Sequence, residues 1–520
     1  MTIAEYIDLS GLEVDSYSGY VYLESHTFQN MTLLKQAILP ENIRVIPYSC
    51  FAGCVSLEKV TIPNGVQEIQ SEAFDGCKSL KYIDIPVTIK EFGFAAFWGC
   101  ESLESVVIPE GVTELACSMF FECTSLKNVS LPHSLESFKD IMTGGRNGSQ
   151  FAFCSSLESI NIPDKVTELP VHSFNGCIKL KDINVDNIEV FGDAAFSGCK
   201  ELKSLDFSSN LTHIGVTAFE DCSGLTTINL PIGLISLLDG AFMGCTGLTK
   251  VEIPATIKAI SDRVFEGCTA LSEVTLPKSI TTIGASAFEN CNLTQITLPA
   301  NLRIIDGKAF NGNSISEIEI PKTVEKIGIY AFNSNNIKVL NIPENVKEVG
   351  SYAFAYNGIE ELTLNDGLQE IGNYAFYEND FEFLRIPESV TEIGSHAFAE
   401  CQKMKTAIIK ANITTLKPRT FFNCIDMVKL QLPKTLTTVE EQAFSACQQV
   451  RYIYSEAVVP PTGEGMRPLV WAFITVYVPS DLEEIYMTAD SWFNDSYDVR
   501  SITEFVFDFS QLDFEPTFYN

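Results

Sequence analysis

One phenylalanine returns along almost the whole chain. It stands at 28, 51, 74, 97, 120, 151, 174, 196, 219, 242, 265, 288, 310, 332, 354, 376, 398, 421 and 444, nineteen positions 22 or 23 residues apart, with one step of 31 between Phe120 and Phe151. The unit around it is clear at 241–254: Ala-Phe-x-Gly-Cys, then Leu-x-x-Val-x-Ile-Pro. So small a unit cannot bury its own apolar face, so copies must stack on one another. The core then grows in one dimension, and 520 residues need not split into separate globular domains.

Each unit yields two short extended pieces. In the first, Leu80-Lys81-Tyr82-Ile83-Asp84-Ile85 for example, positions one, four and six point into the core and positions two, three and five face solvent. The Pro that follows in most units ends the strand, because it has no N–H for a ladder. The second piece is Val-x-x-Ile-Gly, as at 324–328, where Gly suits a turn or a close approach between coils. The fold class that follows is mainly β: a right-handed leucine-rich-repeat solenoid of about 19 repeats, with a parallel sheet on one face and short strands or turns on the other. The steps of 22 between Phe288 and Phe398 mark a zone of shorter turns.

Fourteen of the sixteen Cys fall three residues after the repeat Phe. One Cys per coil gives parallel side chains whose Cβ vectors do not converge, which is wrong for disulfides. The expectation is a ladder of buried reduced thiols. Asn313, Asn335, Asn357 and Asn379 replace Cys in four repeats, where an amide can hydrogen-bond turn backbone.

Residues 1–25 read as an N-terminal cap, 26–447 as the solenoid, 448–502 as a C-terminal cap with a strand and a short helix near 481–489. Residues 503–520 read as an acidic, aromatic tail or an added edge strand. A longer loop is inserted near 139–150, rich in Gly, Asn and Ser; it is either a tolerated excursion or part of a binding face.

The net charge of −32 repels phosphate backbones and anionic lipid, which argues against nucleic-acid partners. The absence of an 18-residue apolar run argues against membrane insertion. The start lacks the basic and apolar regions of a leader. The five His stand in different repeats, away from Cys or carboxylates at ligand spacing, so the expectation is no catalytic residue, no metal and no cofactor.

The outward strand positions supply the candidate ligand-binding face: Tyr82, Asp84, Asp182, Asn184, Asp206, Asn229, Glu252, Glu273, Glu317, Glu319, Glu361, Phe383 and Arg385. Rungs about 4.8 Å apart should cluster Asp182, Asn184, Asp206 and Asn229, and Glu252, Glu273, Glu317 and Glu319 would extend the acidic strip. A solvated sheet face explains the same acids without a ligand. Tyr82, Phe383, Tyr452 and Tyr454 are the stronger hot-spot candidates.

With Ala-Phe-x-x-Cys-x-x-Leu-x-x-Ile-x-Ile-Pro-x-x-Val-x-x-Ile-Gly assembled, the chain resembles the BspA-like leucine-rich-repeat family over about residues 26–447. The resemblance implies a cell-surface or secreted protein, its leader lying outside this sequence, that adheres to a protein or peptide partner such as host extracellular matrix or another cell surface. The alternatives are a structural spacer or a cytoplasmic interaction scaffold, with an enzyme less favoured.

Overall fold

The computed structural model describes residues 4–12, 19–139, 148–465, 474–489 and 497–501. The aromatic tail at 503–520 and positions 140–147 of the insert lie outside the described residues. The chain forms two compact units, 1–279 with 290–292, and 280–289 with 293–520. Both are built of the same coil, and the fold is a parallel-strand solenoid of about 19 turns, mainly β and almost without helix.

In the first unit, strand Lys250–Glu252 pairs in parallel with Glu273–Thr275, and Val251 and Val274 face each other across the ladder. Buried Val251 lies between exposed Lys250 and Glu252, as period-two alternation requires. The second piece makes its own ladder: Glu168–Leu169, Val190–Phe191, His213–Ile214 and Ser236–Leu237 pair in turn. In the second unit the equivalent ladder runs through Thr282–Ile283, Ile304–Ile305, Lys326–Ile327, Glu348–Val349, Glu370–Ile371 and Glu392–Ile393. Its other sheet runs in parallel from Phe383–Ile386 through Thr406–Ile409, Lys429–Leu432, Tyr452–Ser455 and Ile474–Val478 to Tyr497–Ser501. The helix Glu483–Thr488 follows Ile474–Val478 and buries Tyr486, whose hydroxyl donates to the Ala457 carbonyl at 2.7 Å.

The repeat phenylalanines form one stack in each unit. From Phe28 to Phe265 successive ring centroids are 5.1 to 5.8 Å apart. From Phe288 to Phe444 the range is the same. The step of 31 between Phe120 and Phe151 leaves their rings 5.5 Å apart, so the extra residues leave the core spacing unchanged.

The cysteines sit beside this stack, free and buried. Each ladder thiol donates to the carbonyl of the Phe one coil earlier: Cys77 to Phe51 at 3.2 Å, Cys222 to Phe196 at 3.1 Å, Cys424 to Phe398 at 3.3 Å. The thiol is a second donor to a buried carbonyl that already accepts from its own turn, as Phe51 O does from Cys54 N at 3.0 Å and Phe196 O from Cys199 N at 3.0 Å. In the second unit the amides do the same work: Asn313, Asn335, Asn357 and Asn379 donate to Phe288, Phe310, Phe332 and Phe354 at 2.7 to 3.0 Å.

Gly before the Ala-Phe segment serves close approach. A Cβ on Gly350 would lie 2.6 Å from the carbonyl carbon of Gly328 and 2.7 Å from Ile329 N, and the φ of Gly350 is not in the left-handed region. Backbone cannot yield as a side-chain tip can. Gly350→Ala is therefore expected to cost about 1–3 kcal/mol, the usual range for overpacking. Chemical denaturation monitored by far-UV circular dichroism checks this, and an unchanged midpoint would count against the close approach.

Candidate binding interface

The strand-face residues do not form one acidic strip. Tyr82, opposite Ser105 across the ladder, and Asp84 are exposed. Asp182, Asn184 and Asp206 line one shallow depression, shared with Lys181 and Lys203; Asn229 is not among its lining residues. Asn184 is committed to the coil: its Oδ1 accepts from Ile162 N at 2.7 Å and its Nδ2 donates to Ile162 O at 2.9 Å. Glu273 is ion-paired with Lys250 on the neighbouring rung, and Glu252 stands beside Thr275. In the second unit Glu317 faces Gln295, and Glu319 lines a separate depression with Lys322, Glu344 and Asp366. Glu361 pairs with Val339, Phe383 with Thr406 and Arg385 with Ile408. Lysines one rung or one residue away interrupt the acids, because repeat sheets place unlike charges opposite each other more favourably than like ones.

Tyr454, expected at the surface, is only 6% exposed. The strand Ile474–Val478 adds to the sheet in a register that sets Tyr477 beside it, with ring centroids 4.9 Å apart.

A different face carries the aromatic surface. Each coil holds two residues in the left-handed backbone region, one two places before the repeat Phe and one two places after it. In the second unit the row before Phe reads Lys308, Tyr330, Tyr352, Tyr374, His396 and Arg419, all with φ between 58° and 59°. Identical backbone at coil spacing puts the rings in register. Tyr330 and Tyr352 stack at 4.6 Å, Tyr352 and Tyr374 at 4.5 Å, and Tyr374 and His396 at 4.2 Å, with ring planes within 10°. Tyr377 meets Tyr374 and Tyr356 at 5.5 and 5.3 Å. The four rings are half-buried, Lys308 and Arg419 at the two ends of the row are exposed, and Tyr356 and Ile329 are exposed beside it.

The rings themselves stay uncharged. Burial, followed by the charge of Glu400, pushes the Tyr377 hydroxyl up to about 12. Burial and neighbouring phenols raise Tyr352 as well. Burial and then the adjacent Arg419 lower His396, so its ring stays uncharged at neutral pH. The result is a rigid, uncharged ring stack with Arg419 beyond its His396 end, the composition of protein-interaction hot spots. The spacing Tyr-Ala-Phe at 330, 352 and 374 was a readable signal; what hid it is that the left-handed positions accept many residue types.

Among the described residues, no group of three or more His, Cys, Asp or Glu could hold a metal ion, and no helix is long and apolar enough to cross a membrane.

The model of the BspA-type leucine-rich-repeat region (six copies) matches residues 21–142, 147–272, 236–360 and 369–499. Among solved structures, a leucine-rich repeat protein from Bacteroides ovatus is 26% identical, with a TM-score of 0.51 over 77% of this chain and 86% of that one. A leucine rich cell surface protein from Faecalibacterium prausnitzii is 21% identical over 66% of this chain and 88% of its own, with a TM-score of 0.37. The pneumococcal vaccine antigen PcpA is 19% identical over 76% and 89%, with a TM-score of 0.34. No curated protein matches the chain.

Proposed function

The chain belongs to the BspA-type leucine-rich-repeat family, and from that premise we propose that it is a non-catalytic binding module which grips a protein partner through the turn rows of its second unit. Repeats of this family are commonly protein-interaction modules. The observation that carries the reading is the ring stack Tyr330, Tyr352, Tyr374 and His396 with Arg419 beyond it. Rings already held in place lose little side-chain entropy on binding, and Tyr and Arg dominate interface energetics. Around this anchor, a surface of net charge −32 favours a partner with a basic face. The strand-face groups Tyr82, Asp84, Asp206, Glu317, Glu361 and Phe383 offer further contacts, and copies along the coil multiply weak ones. The address that fits is the cell surface or the secreted space, the partner being host matrix protein or another cell.

The test is binding of the whole chain to immobilised extracellular-matrix proteins and to whole bacterial cells, at low and physiological salt. Tyr352→Ser with Tyr374→Ser is expected to weaken binding at least about tenfold, since truncating a central aromatic costs about 2 kcal/mol or more. Binding that ignores these substitutions, or no binding to any surface, would refute the assignment.

A further inference from the structure

Beside the ring stack of the second unit runs another row of side chains, and it bears on the kind of partner that fits there. Between the two left-handed rows stands the residue that directly follows the repeat Phe. Along four coils it reads Ala355, Tyr377, Ala399 and Phe422. The stack Tyr352, Tyr374 and His396 borders this lane on one side, and Tyr356, Glu378 and Glu400 border it on the other. Tyr377 reaches both borders, meeting Tyr374 at 5.5 Å and Tyr356 at 5.3 Å. We propose that the lane holds a proline-rich segment of the partner in the polyproline II conformation, with an Arg or Lys beside its prolines; the proposal rests on the reading of the tyrosine face as the gripping surface.

Spacing selects the conformation. Ala355 and Ala399 are buried and carry nothing beyond Cβ, so half-buried Tyr377 and Phe422 rise as ridges above them. The two ridges are two coils apart, and so are the two low places. At about 4.8 Å per rung that is roughly 9.6 Å. A polyproline II helix returns to the same side every three residues, about 9.3 Å. Every third residue of the segment can therefore settle over Ala355 and then over Ala399, with Tyr377 between them. An extended strand repeats its side chains about every 6.6 Å and an α-helix about every 5.4 Å, and neither keeps step with the ridges.

Hydrogen bonding points the same way. Strand addition needs unpaired backbone on the receiving side. Here the backbone is already paired: Tyr377 N donates to Tyr374 O at 3.1 Å, Tyr356 N to Tyr377 O at 3.0 Å, and Glu378 N to Ala399 O at 3.0 Å. Polyproline II makes no bonds within itself, so its carbonyls take donors from outside. Phenol hydroxyls are such donors, and burial keeps those of Tyr352 and Tyr377 protonated well past neutral pH. The charge of the segment follows from the far border, where Glu378 is exposed and Glu400 half-buried. Arg419 does not answer them: it lies over the Phe422 ring at 5.7 Å, and its Nε donates to Gln442 Oε1 at 2.6 Å. A segment already extended as polyproline II also loses little entropy on binding.

The experiment titrates the whole chain, by calorimetry and fluorescence anisotropy, with an oligoproline flanked by Arg, the same oligoproline flanked by Glu, and an Arg-flanked Gly–Ser peptide of equal length. The Arg-flanked oligoproline is expected to bind most tightly. Tyr377→Ala installs the residue that the coils on either side carry, so the coil is kept, and it should weaken that binding about tenfold or more. Glu378→Gln, at an exposed position, should weaken it several-fold and narrow the gap between the two oligoprolines. No binding of the Arg-flanked oligoproline, equal binding of the Gly–Ser peptide, or an affinity unmoved by Tyr377→Ala overturns the proposal. If the peptides fail while Tyr352→Ser with Tyr374→Ser still weakens binding to matrix or cells, this proposal falls and the tyrosine face keeps its role. If the oligoproline binds and no matrix or cell surface does, the reverse holds.

Discussion

Raising the pH from about 8 to about 10.5 is expected to unfold the first unit while the second still holds. The cause is the thiol ladder. Burial pushes Cys54 up to about 11 and Cys50 and Cys268 to about 12. It raises Cys77, Cys100, Cys123, Cys154, Cys177, Cys199, Cys222, Cys245 and Cys291 as well. The folded value lies above the unfolded one, so the unfolded chain is the first to lose its protons as pH rises. The stabilisation is complete below the ordinary thiol value of 9.0 and drains away from there toward the folded values. Each proton contributes about 1.4 kcal/mol per pH unit. Twelve such thiols can outweigh the usual domain stability of about 5–15 kcal/mol within roughly one unit above pH 9. The second unit has two thiols raised by burial, Cys401 to about 12 and Cys424. Two of its phenols, half-buried Tyr377 and buried Tyr454, both pushed up to about 12, act in the same direction but start from 10.0. Pulsed iodoacetamide labelling read by peptide mass spectrometry, with circular dichroism, would show two separate transitions. Simultaneous loss of both units, or first-unit cysteines still protected at about pH 11, would contradict the buried-thiol account.

The second large effect concerns Asn335. Its Nδ2 donates to Phe310 O at 2.9 Å and Phe332 O at 3.2 Å, and its Oδ1 accepts from Ile315 N at 3.0 Å. That acceptor has a cause in chain length. In a 23-residue coil the Leu six places after Phe turns back on the Cys carbonyl, as Leu271 N does on Cys268 O at 2.9 Å. In the shorter coils the corresponding residue is five places after Phe, and the amide of the following coil takes over its N–H. Leu293 and Asn313, Ile337 and Asn357, and Ile359 and Asn379 repeat the arrangement. Asn335→Ala leaves the buried Ile315 N–H without a partner and removes one of the two amide donors from each carbonyl, Phe310 O keeping Asn313 Nδ2 at 3.2 Å and Phe332 O keeping Asn357 Nδ2 at 2.9 Å, so about 2–4 kcal/mol should be lost, most of it from the unpaired N–H. Asn335→Cys keeps a donor for Phe310 but also has no acceptor for Ile315, so a loss of about 1–3 kcal/mol is expected, smaller than for Ala only by the donor that is kept. Denaturant midpoints for the two variants decide it. No loss for Asn335→Cys would mean that the acceptor carries nothing, and the amide would then be no more than a larger cysteine.

Much of this was readable in advance because it follows from local rules. Phe and Cys recur once per coil, and a residue that recurs once per coil must face the same surroundings each time. The Asn substitution was legible as a hydrogen-bonding change, but its partner was not, since Oδ1 reaches back into the preceding coil. Gly350 could have served a turn or a close approach, and only the position of Gly328 behind it decides between them. The strand face was legible as a set of outward positions. Its charge was not, because Lys250 lies 23 residues from Glu273 and meets it only when the coils stack.

The sequence alone determined the repeat, the buried phenylalanines and thiols, the strand alternation and the family, since each rests on spacing along one chain. Tertiary structure alone decided which surface is aromatic and which is neutralised. The left-handed rows, the stacking of Tyr330 to His396 and the burial of Tyr454 all depend on what the neighbouring coil brings within a few ångströms. A pattern of period 22 or 23 specifies that coils stack. Which side chains then touch depends on backbone angles at positions that almost any residue can fill.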